Sequence, residues 1–322
     1  MAKRRGQPVH GWVNLDKPVG MSSAKAVAIV RRVFNAAKAG HGGTLDPLAS
    51  GVLPIALGEA TKTVSYAMDG AKSYAFTVTW GTQTTTEDLE GDVVETSPLR
   101  PTQAAIATVI PEFTGNILQA PPAFSAIKID GKRAYELARK AVRSADSDGL
   151  EQSSELAAMP EMEPRSVYVD TLSLEALSAE AATFHVTCGK GTYIRSLARD
   201  MALRLGTVGH VTMLRRLAVG PFTETSSISL DFLETLEHSP AAFEHMHPVV
   251  SALDDIPALP ISEDEAAKFH HGQPLSMASA TAQARFASLQ PDAVAIALCG
   301  EQPIALVTVK AGELRPVRVF NF

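Results

Sequence analysis

The chain has 322 residues, 45% of them hydrophobic and 20% charged, with a formal net charge of −6. This is enough for one large domain with a sizeable core plus a small second one. No stretch approaches the roughly 20 apolar residues of a membrane span, Met1-Ala2-Lys3-Arg4-Arg5 lacks the apolar run of a secretory signal, and Cys188 and Cys299 lack zinc-ligand spacing, so a cytoplasmic protein without a structural metal is expected.

In chain order, Trp12–Leu15 reads as a strand, and Asp16-Lys17-Pro18-Val19-Gly20 as a turn. Ser22 or Ser23 can cap a helix whose apolar positions include Ala26, Val27, Val30, Val33 and Phe34. Residues 40–51 hold four glycines and a proline and read as a loop. Val52–Leu57 and Tyr74–Trp80 follow as strands, the second by its alternation and β-branched content. Arg100-Pro101 opens a helix to Ile110 with proline in the first turn. Lys128-Ile129-Asp130-Gly131-Lys132 carries a hairpin signal, and a basic helix with Arg133, Tyr135, Leu137, Arg139 and Lys140 follows it.

Residues 144–160 are rich in Ser, Ala, Asp and Glu and are expected to form a mobile surface insertion. Val167–Leu174 and Thr183–Cys188 look like paired strands, Thr192 caps a helix to about Leu205, and Val211–Val219 is another strand. From about Asp254 the pattern changes to a short helix at Ser262-Glu263-Asp264-Glu265 and β-like runs at Val294–Leu298, Ile304–Lys310 and Arg315–Phe320. Strands and helices mix without a regular βα period, so the class is α+β.

Charge is segregated along the chain. Residues 1–40 hold eight Lys or Arg against Asp16, and residues 189–216 hold six (Lys190, Arg195, Arg199, Arg204, Arg215, Arg216) against Asp200. Residues 217–270 hold ten acids against Lys268. Basic segments that share a face would make a polyanion site despite the negative total.

Gly40-His41-Gly42-Gly43-Thr44-Leu45-Asp46-Pro47, read by itself, is a turn with an Asp-Pro step that could also expose a carboxylate. The glycines permit unusual dihedrals and close approach of backbone to a ligand, and Pro47 biases Asp46 toward an extended conformation. A phosphate-cradling reading fails, because neither a Gly-Lys-Ser/Thr ending nor a three-glycine dinucleotide spacing is present.

Several stretches in order resemble the bacterial tRNA pseudouridine-55 synthases, the TruB family, over roughly residues 9–250. They are Leu15-Asp16-Lys17-Pro18-Val19-Gly20-Met21-Ser22-Ser23, Ala39 through Gly51, Gly58-Glu59-Ala60-Thr61-Lys62, Lys72-Ser73-Tyr74, and Thr84, Thr86, Asp88 and Gly91. Pro121 through Lys128, Gly131-Lys132-Arg133-Ala134-Tyr135, Gly189 through Leu197 and Leu214-Arg215-Arg216 complete the series.

The resemblance implies a mixed, mainly antiparallel sheet with flanking helices over residues 1–250, and a PUA-like RNA-binding domain, mostly β, over 251–322. A basic segment at about 100–145 would close over the RNA. The implied reaction is isomerisation of uridine 55 in the tRNA T-loop, with no cofactor, metal or guide RNA, by a monomer. Asp46 matches the essential aspartate, acting either as nucleophile at the ribose anomeric carbon or as base at the 2′ position. Arg195 matches the arginine that keeps that carboxylate ionised and oriented. Tyr74 matches the tyrosine stacked on the target base. Tyr193 and Leu214 match further pocket residues, and His41 matches the residue that steadies the flipped conformation. Lys17 and Lys62 fit phosphate or scaffold contacts, and Asp88 fits a role in ordering the loop near Tyr74. A non-catalytic tRNA-folding module and a guide-dependent pseudouridine synthase are the alternatives.

Overall fold

The computed structural model describes residues 6–322 apart from 126, 130, 139, 141–159, 161, 287, 288 and 291. The insertion expected at 144–160 therefore lies, Pro160 apart, outside the described residues, as do Asp130 and Arg139.

The strand Lys72–Trp80 shows how the sequence builds the main sheet. Its alternation buries Lys72, Tyr74, Phe76, Val78 and Trp80 and leaves the residues between them half-exposed. Phe76 stacks on Phe184 of the neighbouring strand Ala181–Cys188, ring centroids 5.3 Å apart. The helix Ile194–Arg204 closes over this face, and its Leu197, Ala198 and Met201 join the same buried cluster. The helix Ser23–Val33 adds Ala26, Val30 and Val33. Ser22 is its cap, accepting from the Lys25 amide.

The main sheet runs in the order Ile228–Ser229, Gly11–Lys17, Ser50–Leu57, Gly209–Val219, Lys72–Trp80, Ala181–Cys188, Arg165–Leu177, Gly115–Gln119. Its pairings are antiparallel except where Gly209–Val219 meets Ser50–Leu57 and where Gly11–Lys17 meets Ile228–Ser229. The first parallel contact sets Arg215 opposite Ser50 and Arg216 opposite Gly51, while Arg216 lies opposite Tyr74 on its other side. The sheet thus brings the end of the Gly-rich loop beside Tyr74.

Local readings change at several points, among them Arg133, which pairs with Lys128 in a hairpin strand rather than joining the basic helix. The helix expected from Arg100 begins at Gln103, with Thr102 accepting from the Ala105 amide. Pro101 precedes that cap rather than occupying the first turn, and Arg100 pairs instead with Glu180. The helix expected to be capped by Thr192 begins at Ile194, because the Thr192 hydroxyl donates to the Gly189 carbonyl. Gly115–Gln119 is an edge strand that the sequence did not announce, since Gly-Asn-Ile-Leu-Gln has neither alternation nor β-branched density.

The tail forms a five-stranded sheet in the order Ala258–Pro260, Val294–Cys299, Gln302–Lys310, Glu313–Val319, Leu275–Ser276. Its helix Glu263–His270 starts with a capping box between Ser262 and Glu265. One apolar cluster joins the two sheets, packing Trp12, Val52 and Phe222 with Ile296, Leu306 and Phe320. Among the described residues no helix is long and apolar enough to cross a membrane.

Candidate active site

The Gly-rich loop is held from four directions. The Ser23 hydroxyl accepts from the Leu45 amide at 2.8 Å and donates to the Leu45 carbonyl at 2.9 Å. The Gly20 amide donates to the Pro47 carbonyl. Buried Arg216 donates to the carbonyls of Val52 at 2.7 Å and Gly43 at 3.0 Å, with Thr44 at 3.4 Å. Lys17 is fully buried, and its ammonium reaches the carbonyls of Pro18, Met21 and, at 3.5 Å, Pro47. Gly43 sits at φ +118°, which a side chain disfavours, and a Cβ at Gly51 would lie 2.2 Å from the Arg216 carbonyl. Gly51 is therefore required by this packing, and Gly43 by its backbone conformation.

Asp46 stands at the end of the braced loop with its side chain 36% exposed, whereas the Arg195 side chain is only 5% exposed. Arg195 Nε donates to Asp46 Oδ2 at 2.9 Å, Nη1 to the Thr86 carbonyl at 2.8 Å and Nη2 to the Phe124 carbonyl at 3.0 Å. Asp88 Oδ2 lies 3.6 Å from the same Nε, while Asp88 Oδ1 accepts from the Thr86 hydroxyl and the Glu90 amide. Arg195 sits in the first turn of its helix, where the helix dipole disfavours a cation. The two carboxylates offset that cost, and the guanidinium is fixed in plane by donors in three directions.

A cavity of about 560 Å³ opens above Asp46, lined by Asp46, Tyr74, Asp88, Tyr193, Arg195 and Leu214, together with Lys72, Thr86, Glu90, Tyr135 and Arg216. Burial pushes the Tyr74 phenol above its ordinary pKa, opposed less strongly by the nearby Arg216 guanidinium, so Tyr74 is neutral at physiological pH. Burial raises Tyr193 too. The Tyr193 backbone is gripped by the Gln119 side chain, which accepts from its amide at 2.8 Å and donates to its carbonyl at 3.1 Å. Leu214 is buried opposite Phe76. Lys72 donates to the carbonyls of Met68 and Gly70, and burial lowers its pKa to about 8.

The structure thus gathers Asp46, Tyr74, Arg195, Tyr193, Leu214 and Asp88 around one cavity. His41 is outside that lining; it closes a short strand, paired with Ile55, and its Nδ1 is buried without a hydrogen-bond partner among the described residues. Burial, and then Arg216, lower its pKa. Both lysines make scaffold contacts. Lys17 spends its ammonium on loop carbonyls, and Lys62 binds Glu59 and the Val319 carbonyl, tying the tail sheet to the main one. Sequence reasoning placed Arg216, Lys72 and Ser23 in motifs without giving them a role in the site, and it did not single out Gln119. A dibasic pair within a strand and a lysine just ahead of one were the available signals, and neither specifies a buried partner.

Residues 31–194 match the model of the TruB family pseudouridylate synthase N-terminal domain, and residues 195–255 match the tRNA pseudouridylate synthase B C-terminal domain. A Rhodospirillum rubrum protein named tRNA pseudouridine synthase B is 47% identical over 99% of this chain and 99% of its own. A protein of that name from Caulobacter vibrioides is 46% identical over 100% of this chain and 99% of its own. Among solved structures, a chain from a Cbf5-Nop10-Gar1 complex superposes with TM-score 0.68 at 25% identity, over 97% of this chain and 84% of that one. A chain from the archaeal box H/ACA sRNP Nop10-Cbf5 complex gives 0.68 at 23% identity, over 99% and 92%, and shares the fold. The fold and the family matches are those of a pseudouridine synthase. The chain belongs to the TruB family of pseudouridylate synthases.

Proposed function

We propose that this enzyme, which isomerises tRNA uridine to pseudouridine as its relatives' name describes, acts at uridine 55 of the T-loop with Asp46 as the reacting carboxylate. The reading is supported above all by one observation: a half-exposed carboxylate faces the cavity while a buried, three-way-fixed guanidinium holds one of its oxygens. That arrangement holds the carboxylate in one orientation, facing the space a ribose would enter.

The reaction moves no atom out of the product. The bond from the ribose anomeric carbon to uracil nitrogen breaks, the ring turns, carbon 5 bonds to the same ribose carbon, and the proton leaving carbon 5 is balanced by one gained at nitrogen. Asp46 serves either as nucleophile at the anomeric carbon or as base at the 2′ position. In this reading Tyr74, a neutral ring in the cavity lining, stacks on the base and relays the carbon-5 proton. A T-loop uridine has to be extruded to reach this cavity, at a cost of a few kcal/mol. In this reading His41 steadies the extruded conformation from beside the loop. The enzyme works as a cytoplasmic monomer without cofactor or guide RNA, the basic segment at about 100–145 closes over the T-arm, and residues 251–322 act as a PUA-like RNA contact.

The test is tritium release from carbon-5-labelled uridine in a T-arm minihelix, with no guide RNA present. Wild type releases tritium, and Asp46→Asn binds the RNA without turnover. Substantial turnover by Asp46→Asn removes the assigned role. Binding without turnover by wild type favours an RNA-folding module.

A further inference from the structure

On the helix Ile194–Arg204, Arg199 follows Arg195 by one turn, and the two guanidiniums hold the same two segments. Arg195 takes the carbonyls of Thr86 and Phe124, while Arg199 takes the Glu87 carboxylate and the Ala120 carbonyl. Glu87 is 8% exposed, and Ser196, between the two arginines, points its hydroxyl at the other Glu87 oxygen.

The backbone at Glu87 is unusual. Its φ is +63°, a left-handed conformation that a non-glycine residue keeps only when its surroundings over-determine it. The surroundings do so here. The Glu87 amide donates to the Thr84 carbonyl, the Glu87 carbonyl accepts from the Val211 amide, and the Thr84 hydroxyl donates to the Asp88 carbonyl. The reversal at residue 87 lets its two neighbours, the Thr86 carbonyl and the Asp88 carboxylate, converge on Arg195. Glycine would meet the φ without strain, but only a carboxylate adds a directed tie to the helix that carries Arg195.

We propose that Glu87 and Arg199 are positioning residues for the reaction: their buried ion pair holds the turn at residue 87 so that Thr86 and Asp88 fix the guanidinium that orients Asp46. The inference rests on Asp46 being the reacting carboxylate. Neither residue lines the cavity, so both act through Arg195.

The test compares Glu87→Ala, Glu87→Gly and Arg199→Lys with wild type and Asp46→Asn, measuring kcat and KM by tritium release per folded molecule, with thermal unfolding alongside. Glu87→Ala lowers kcat on the order of 10- to 100-fold, as expected for a displaced reacting group, and leaves KM within about threefold. Glu87→Gly recovers part of that loss because glycine takes the left-handed φ freely, a rescue that loss of a general stabilising contact would not give. Arg199→Lys, which keeps the charge without the fork, falls between. If Glu87→Ala does not fold, Arg199→Lys carries the test, and unchanged kcat in that variant overturns the proposal. So does wild-type kcat in Glu87→Ala, or a loss confined to KM. An inactive Asp46→Asn beside a fully active Glu87→Ala overturns this inference alone, whereas an active Asp46→Asn overturns the reading beneath it.

Discussion

Arg195 Nε lies 2.9 Å from Asp46 Oδ2, although 149 residues separate the two in the chain. Nη1 and Nη2 of the guanidinium donate to the carbonyls of Thr86 and Phe124, so its plane, and the carboxylate it holds, have one orientation. Lysine offers a point charge without that fork. Arg195→Lys is therefore expected to lower kcat roughly 100-fold, by analogy with misplacement of a reacting group, while tRNA affinity changes little. Steady-state kinetics with a filter-binding measurement check this; equal losses in both would make Arg195 a phosphate contact.

Ser23 is the only side chain that hydrogen-bonds both peptide groups of Leu45, the residue before Asp46, among the described residues. Ser23→Ala leaves a buried donor and a buried acceptor unmatched. The expected cost is about 1–3 kcal/mol of stability, read from denaturant unfolding. A fall in kcat at nearly constant KM should accompany it, and an unchanged kcat would show that the loop keeps its shape without this brace.

Gly51 meets the Arg216 backbone so closely that an added Cβ would sit 2.2 Å from a carbonyl oxygen, and its φ is +99°. Nothing flexible lies there to move aside. Gly51→Ala should separate the two parallel-paired strands and cost upwards of about 2 kcal/mol. A lowered unfolding midpoint checks it, and a variant as stable as wild type would refute the packing.

Lys72 is a cation whose burial lowers its pKa from 10.5 to about 8. Between those values the unfolded chain binds more protons than the folded one, so this group's contribution to stability rises as pH increases from about 8 to 10.5. Lys72→Met abolishes that rise. Unfolding free energies of wild type and Lys72→Met measured across the window should diverge in favour of wild type at the upper end, and parallel curves would contradict the burial of a charged amine.

Much of the architecture was readable locally. Alternation marked Tyr74–Trp80, the cap at Ser22 marked a helix start, and short β-like runs marked the tail strands. The reading missed where the deciding partner lay far along the chain. Thr192 has the chemistry of a helix cap, yet its hydroxyl goes to Gly189, and the residue beside it is gripped by Gln119, 74 positions away. Arg216 read as one basic residue within a strand, while its guanidinium holds the carbonyls of Gly43 and Val52, 173 and 164 residues distant.

The sequence by itself determined the α+β class, the exposed Asp46 loop and, through the order of its motifs, the family resemblance. Those features rest on spacing, side-chain chemistry and local backbone preference, which act within a few residues. Only the tertiary structure decided that Lys17 and Lys62 brace the scaffold, that His41 lies outside the cavity lining, and that Glu87 stands behind Arg195. A buried charge must find partners wherever the chain returns to it, and that return is set by sheet pairing rather than by the residue's own neighbours.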